Sequence, residues 1–421
     1  MSATARLLEL LAASPTPFHA VEASAATLAR HGFSELREED PWELAPGQKR
    51  YVKRGGSALV AFVVPERASG FRVVGAHTDS PNLRLKPRAA YEKHGYLQLG
   101  VEVYGGALLN SWLDRDLGIA GRVFVEGGAS RLVCIDRPMC RVTQLAIHLD
   151  REVNDKGVVL HRQEHLPPIV GLSPGYDEAA FAADIAKAAG VDASEIVSTE
   201  LMLFDVAKPT LGGARDELIF SARLDNLAMC HAAIEARTEP RDVGAACPVA
   251  VLFDHEEVGS ASATGAGAPL LPAILERIVL STGGGREAFH TALARSLCVS
   301  ADMAHALHPN YPDRHEARHR PVLNGGPVIK TNAQQRYATS AETAALFATM
   351  AKRVDVPVQH YVHRTDLPCG STIGPITATL LGIKTVDVGN PMLSMHSARE
   401  LAGAADPALM VRVLGAFYGA P

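Results

Sequence analysis

Short apolar runs alternate with segments of helical periodicity over much of the chain. The run at 249–253 is uninterrupted and rich in valine, which predicts a buried strand of an α/β sheet. Similar runs at 71–76 and 297–301 predict further strands. The same patterns predict two helices within 1–33 that are separated at 14–17, strands at 51–54, 58–64, 358–362 and 385–388, and helices at 269–280, 285–296, 341–354, 373–381 and from about 406.

The pattern changes between residues 87 and 216. Short strands are predicted at 96–99, 121–125 and 132–135, with glycine pairs between them, and one helix is predicted at 177–189. The α/β alternation returns near residue 218. We therefore interpret 87–216 as a mostly β domain, inserted into a discontinuous α/β domain formed by 1–86 and 217–421.

Composition restricts the class of protein. A chain of 421 residues is long enough for two domains, and its 47% hydrophobic content is typical of a globular fold. The net charge of −5 gives no basic surface for nucleic acid, and no apolar stretch is long enough to cross a membrane. The six cysteines include no CxxC pair, which is typical of reduced thiols in a cytoplasmic protein.

Two adjacent glutamates, Glu256 and Glu257, follow the predicted strand at 249–253. Ligands of open α/β sheets bind at the carboxyl ends of the strands, so this position is a candidate site. One glutamate can coordinate a metal while the other accepts a proton from water. A solvated acidic turn is the alternative, since exposed glutamate is common.

Other acidic and imidazole side chains occupy similar positions at the ends of predicted strands or in adjoining loops. They are His77, Asp79, Asp225, Asp302 and His396. Imidazole and carboxylate ligands without thiolate suit Zn²⁺, Mn²⁺ or Co²⁺. Three protein ligands per ion with one bridging carboxylate would leave a position for water, as in catalytic sites.

The spacing of His77 and Asp79 predicts a hydrogen bond between them. Residues i and i+2 of an extended segment point the same way, so Asp79 can fix the tautomer of a metal-binding His77. Each residue also has a simpler interpretation: a surface loop for this pair, a helix N-terminal acid for Asp225, a loop acid for Asp302 and a core histidine for His396. That all of these simpler interpretations are true at once is the weaker hypothesis.

Seven motifs follow one another along the chain. They are HTDSP (77–81), ARLDN (222–226), DHEEVGS (254–260), SADMAHALHPNY (300–311), GPVIKTNAQQRYA (326–338), DLPCGSTIGPI (366–376) and LSMHSARE (393–400). In this order the set resembles the aspartyl aminopeptidases, the M18 family of dinuclear zinc metallopeptidases. The resemblance extends over essentially the whole chain.

The resemblance implies two divalent metal ions per subunit, zinc first, with manganese or cobalt as alternatives. It assigns His77 and Asp302 to one ion, Glu257 and His396 to the other, and Asp225 to both. Glu256 would then be the general base, and Asp79 would orient His77.

The resemblance also implies a fold, an assembly and a substrate. The expected catalytic domain has a mixed sheet flanked by helices, the inserted domain mediates dimerisation, and subunits assemble into a homo-oligomer, typically a dodecamer. The substrate would be a peptide with an N-terminal Asp or Glu, bound through Lys330. His148 of the inserted domain would reach the site of a neighbouring subunit. An ordinary exposed lysine and a buried strand histidine are the simpler alternatives for these two residues.

Two other functions remain open on the sequence. A related co-catalytic metallohydrolase could have another specificity, as a broad aminopeptidase or a deacylase has, although Lys330 argues against it. A non-catalytic scaffold could retain the fold, but it would have no use for an unliganded base at Glu256.

Overall fold

The computed structural model describes residues 1–238 and 246–420. The α-helices of this part of the chain are α1 (Ala3–Ala13), α2 (Pro17–Arg30), α3 (Val153–Lys156), α4 (Glu178–Ala189), α5 (Leu224–Thr238), α6 (Leu270–Ser281), α7 (Arg286–Ala294), α8 (Ala341–Arg353), α9 (Ile373–Leu381) and α10 (Asp406–Tyr418). The helices expected from the periodicity are confirmed. They could be predicted because amphipathic spacing and terminal prolines and glycines are local signals.

Strands alternate with these helices in the N-terminal and C-terminal parts of the chain, and strands predominate over helices in the segment between them. They are β1 (Ser34–Leu36), β2 (Lys49–Arg54), β3 (Ala58–Val63), β4 (Phe71–His77), β5 (Asn82–Lys93), β6 (Tyr96–Tyr104), β7 (Leu117–Val125), β8 (Ser130–Cys140), β9 (Ile169–Leu172), β10 (Ile196–Asp205), β11 (Thr210–Gly212), β12 (Leu218–Ser221), β13 (Cys247–Phe253), β14 (Leu297–Ala301), β15 (Ala304–His305), β16 (Val328–Thr331), β17 (Gln359–Val362), β18 (Lys384–Gly389), β19 (Pro391–Leu393) and β20 (Glu400–Gly403).

Residue contacts divide the chain into two compact units. The described residues of the first lie within 1–79, 209–395 and 400–421, and those of the second within 80–208 and 396–399. Both boundaries of the 80–208 segment differ from the predicted 87 and 216. Strand β5 already begins at Asn82 and pairs within the second unit, whereas β11 pairs with β12 in the first.

The first unit contains a nine-stranded mixed sheet in the order β1-β2-β3-β13-β4-β14-β18-β16-β17. Strands β13, β4, β14 and β18 are mutually parallel along this order, so their carboxyl ends share one edge. Side chains alternate between two cores. One core includes residues of α1, α2, α5, α8 and α10, and the other includes residues of α6, α7 and α9. The fold class is therefore α/β, with helices against both faces of the sheet.

A second, five-stranded sheet of the first unit has the order β11-β12-β20-β19-β15. The second unit contains an antiparallel six-stranded sheet in the order β8-β7-β10-β5-β6-β9, and Phe181 and Ile185 of α4 belong to its core. This sheet agrees with the mostly β character expected for the inserted segment. Among the described residues, no helix combines the length and the hydropathy that a membrane span requires.

Candidate metal centre

The carboxyl ends of β4, β13 and β14 bring the predicted site residues of the first unit together. His77 ends β4 directly beside Phe253, the last residue of β13. The backbone N–H of Thr78 donates to Phe253 O at 2.7 Å, which keeps the two chains paired beyond the sheet. Because β14 is also parallel to β4, Asp302 emerges at the same edge.

Within the first unit, potential metal ligands converge at this edge in two groups of three residues. His77, Glu256 and Glu257 form one group, and His77, Asp225 and Asp302 form the other. Within each group the ligand atoms all lie within 4.8 Å of one another. The shared member, His77, is only 1% exposed, so both groups meet at a buried imidazole.

The two nitrogens of His77 face different partners. Nδ1 lies 3.0 Å from the backbone oxygen of Asp79 and 3.3 Å from its Oδ1. Nε2 lies 3.7 Å from Asp225 Oδ1. With Nδ1 held by Asp79, Nε2 is the nitrogen left to coordinate a metal ion beside Asp225, which is the arrangement required of a metal-binding imidazole.

Asp79 makes further contacts that the sequence did not reveal. Its Oδ1 accepts a hydrogen bond from Glu256 N at 3.2 Å, and its Oδ2 accepts one from Glu257 N at 3.1 Å. The side chain is fully buried. One carboxylate therefore fixes both the ring of His77 and the backbone of the glutamate pair.

Asp225 and Asn226 are held by contacts from other strand ends. Both have non-helical backbone angles at the start of α5, and Asp225 N donates to Glu400 Oε2 at 3.2 Å. Asn226 Nδ2 donates to Ala301 O at 2.8 Å, while its Oδ1 accepts from Met303 N at 3.3 Å. Asn226 thereby ties the segment of Asp225 to both residues that flank Asp302. The amide was not predicted, and its only sequence signal was its position beside Asp225.

Crowding of acidic groups shifts the protonation of the site. Burial raises the pKa of Glu256 to about 8, with Asp302 and Asp225 adding to the rise and His77 opposing it. Burial also raises the pKa of Asp302 to about 6, against the effect of Lys330. Burial alone would lower the pKa of His77, but Asp79, Glu256 and Asp302 hold it well above its usual range. The cluster thus lacks positive charge for its number of carboxyl groups.

Lys330 is buried beside Asp302, contrary to the simple expectation of an exposed lysine. Its side chain is 2% exposed, and Nζ donates to Met303 O at 3.2 Å. Nζ also lies 3.8 Å from Asp302 Oδ1 and 5.1 Å from the centre of the Tyr337 ring. A buried ammonium with a carboxylate and an aromatic face beside it is a strong local source of positive potential.

Two predicted site residues belong to the second unit. His396 opens the 396–399 segment, where its backbone oxygen accepts from Leu108 N at 3.0 Å and its Nδ1 lies 3.2 Å from Gly106 O. His148 lies in an exposed turn after β8, so the alternative of a buried strand histidine is wrong. Residues 143–150 alternate like a strand but pair with no strand of the described chain. The roles of His396 and His148 stay predictions.

Known proteins are similar to this chain over almost its whole length. The model of the family described as "Aminopeptidase I zinc metalloprotease (M18)" matches residues 10–418. A "Probable M18 family aminopeptidase 2" of Streptomyces coelicolor is 49% identical over 98% of this chain and 96% of its own, and one of Pseudomonas aeruginosa is 48% identical over 98% and 97%.

Solved structures share the fold over almost the full length. A chain in the complex of Ape4 and Nbr1 superposes with a TM-score of 0.96 at 41% identity, covering 99% of this chain and 85% of that one. The mApe1 dodecamer of S. cerevisiae gives 0.83 at 30% identity, covering 99% and 96%. Similarity in sequence and similarity in fold thus both extend over almost the whole chain.

Proposed function

The chain belongs to the M18 family and is a metalloaminopeptidase, and from this premise we propose that it removes N-terminal Asp or Glu from peptides with Glu256 as general base. The proposed metal ligands are His77, Asp225, Asp302, Glu257 and His396, as the family resemblance implies. The observation that carries the proposal is the convergence of imidazole and carboxylate groups on His77 at the edge of the sheet.

The donor set fits two divalent ions. It offers imidazole nitrogen and carboxylate oxygen, the combination that Zn²⁺, Mn²⁺ and Co²⁺ accept. The raised pKa values of Glu256 and Asp302 support the fit, because a nearby cation would favour the ionised carboxylates that burial and neighbouring acidic groups oppose. When bound, such ions supply Lewis acidity and lower the pKa of a coordinated water.

The chain's own residues perform the proton transfers in this proposal. Glu256 accepts the proton of the water that attacks the peptide carbonyl and returns it to the leaving amine. Asp79 keeps this carboxyl in place through the Glu256 backbone, and it keeps His77 in one tautomer. His77, Asp225 and Asp302 are buried, which strengthens the electrostatic contacts among them.

The test of Glu256 separates a base from a ligand. Glu256→Gln, prepared with zinc, is expected to keep the wild-type metal content and to lose nearly all hydrolysis. Its ligand atom also groups with those of His77 and Glu257, so a variant that loses metal together with activity would show that Glu256 coordinates instead. Substantial remaining activity would contradict both roles.

Lys330 supports the proposed preference for acidic substrates. Its buried ammonium supplies positive charge next to Asp302, where the side chain of a bound N-terminal residue would have to be recognised. The competing function is a broad aminopeptidase. The two functions are distinguished by a panel of peptides with Asp, Glu, Leu or Ala at the N-terminus. Repeating the panel with chelator, and then with Zn²⁺, Mn²⁺ or Co²⁺ added back, identifies the activating metal. Equal kcat/KM on acidic and neutral peptides would refute the acidic preference.

We also propose that the subunits form a closed homo-oligomer in the cytoplasm. The second unit supports this, since the turn around His148 exposes the large apolar side chains of Leu145, Ile147 and Leu149. The related mApe1 of S. cerevisiae forms a dodecamer. Light scattering at micromolar concentration tests the assembly, and a monomer would contradict it. Mixing inactive Glu256→Gln subunits with impaired His148→Ala subunits tests whether His148 acts on a neighbouring site. Recovery of activity would support that role, because it needs His148 of one subunit beside Glu256 of another.

A further inference from the structure

Two loops beside Lys330 follow neighbouring parallel strands. The first loop, 332–339, follows β16, and the second, 363–372, follows β17. Since parallel strands end at the same edge of a sheet, the loops leave it side by side. Tyr337 of the first loop places its ring 5.1 Å from Lys330 Nζ. The position of this loop therefore determines what surrounds the buried ammonium.

Exposed hydrogen bonds connect the two loops to each other. Arg336 Nε donates to Cys369 O at 3.1 Å, and Ser371 Oγ donates to Arg336 O at 3.1 Å. Arg336 and Ser371 are exposed, so water competes for both bonds. These exposed bonds alone would hold the loops only weakly, and the packing of Cys369 against the cluster of Tyr337 adds a partly buried contact.

Asp387 of β18 supplies a buried connection to both loops. Its side chain is 0% exposed, Oδ2 accepts from Ala338 N at 2.6 Å, and Oδ1 accepts from Thr372 Oγ1 at 2.6 Å. Its backbone N–H donates to Thr339 Oγ1 at 2.9 Å. The helix α9 leaves space for this carboxyl group only because residue 374 is glycine, where a Cβ would lie 2.4 Å from Oδ2.

We propose that Asp387 is a positioning residue for acidic substrates, because it holds the loop that keeps Tyr337 against Lys330. The inference rests on the proposed function of Lys330 as the cation that binds the acidic side chain. Lys330 Nζ also has a charged neighbour, Asp302 Oδ1, at 3.8 Å. When the Tyr337 ring withdraws, attraction to Asp302 draws the ammonium away from the substrate.

The test compares acidic and neutral substrates in metal-loaded variants. Asp387→Ala is expected to lower kcat/KM for Asp and Glu peptides by about tenfold relative to Leu and Ala peptides, mainly through KM. Metal content stays at the wild-type level, since Asp387 is not among the candidate ligands. Asp387→Asn should restore most of the preference, because its amide oxygen can accept from Ala338 N and its NH₂ can donate to the Thr372 hydroxyl.

Gly374→Ala perturbs the same contact without removing any atom of Asp387. Its Cβ would displace the carboxyl group, so the variant is expected to lose acidic preference as Asp387→Ala does. Thr372→Val removes one of the two hydrogen bonds and should have a smaller effect in the same direction. If Asp387→Ala does not fold, these two variants decide the proposal.

Asp406→Ala is the matched control. Asp406 is also fully buried and its carboxyl group also accepts two hydrogen bonds, here from the backbone N–H groups of Asn324 and Gly326 in a different loop. It should lower stability and leave substrate preference unchanged. Equal losses on acidic and neutral peptides in Asp387→Ala and Gly374→Ala, or a shift of preference in Asp406→Ala, would show a purely structural role. A wild-type enzyme without acidic preference would instead refute the proposed function.

Discussion

His231 should make the stability of the first unit fall in mild acid. It lies in α5 with 5% exposure, and neither ring nitrogen has a hydrogen-bond partner among the described residues. Burial, reinforced by the charge of Arg6, lowers the pKa of His231 to about 3. The unfolded chain, with a pKa near 6.5, therefore binds a proton that the folded chain refuses between these pH values.

The sign and size of the effect follow from this difference in pKa. The contribution of neutral His231 to the free energy of unfolding is fully present above pH 6.5. Below that pH it is lost by about 1.4 kcal/mol per pH unit. Between pH 7.5 and 5.5 the free energy of unfolding should drop by about 1.4 kcal/mol, which lowers Tm by about 2 °C. His231→Leu removes the titrating group and the unsatisfied nitrogens, so its Tm should lack this component.

The assay is thermal unfolding of wild type and His231→Leu at both pH values with the metal saturated. Other titrating groups, including His19 with its pKa lowered to about 4 by burial, contribute equally to both proteins. His290→Gln, which changes an exposed histidine of α7, serves as control and should follow wild type. An identical Tm change in wild type and His231→Leu would refute the reasoning.

Three further results are expected. Asp79→Ala should lower kcat by about 10- to 100-fold, because it frees both the His77 ring and the glutamate backbone, and Asp79→Asn should lose less; equal kcat in wild type and Asp79→Ala would contradict this. Chelation should abolish hydrolysis and lower Tm without loss of helical circular dichroism, since the carboxyl groups then repel, and zinc should reverse both changes. Asp406→Asn should lower the free energy of unfolding in urea by about 1–3 kcal/mol, because the new NH₂ group faces a backbone N–H that donated to the carboxylate. A variant as stable as wild type would show that these hydrogen bonds do not stabilise the fold.

The strand ends could be predicted because the relevant signals are local. The run at 71–76 corresponds to β4, and the run at 297–301 corresponds to β14. The helix expected at 177–189 is found as α4, capped by the side chain of Asp177 and ended by Gly190 in the left-handed conformation. A polarity change after a buried strand then locates candidate ligands without knowledge of the tertiary structure.

Contacts between distant segments could not be predicted in this way. Asn226 bonds to residues 75 and 77 positions away, and nothing in its neighbourhood indicates Ala301 or Met303 as partners. Asp387 did leave a signal, because a carboxyl group within the apolar run at 385–388 is rarely buried without strong hydrogen bonds. Lys330 left the same kind of signal in its own apolar strand.

The chain itself holds the ligand-bearing segments of the first unit in place. Asp79 fixes the glutamate pair, Glu400 fixes the backbone of Asp225, and Asn226 fixes both sides of Asp302. The pKa of Glu256 is raised first by its burial and then by Asp302 and Asp225, so ionising this carboxyl group in the folded chain is unfavourable. A site organised by hydrogen bonds forms with the fold, whereas zinc fingers fold only when metal binds. Exchange among Zn²⁺, Mn²⁺ and Co²⁺ should then follow ligand affinity alone, without refolding of the unit.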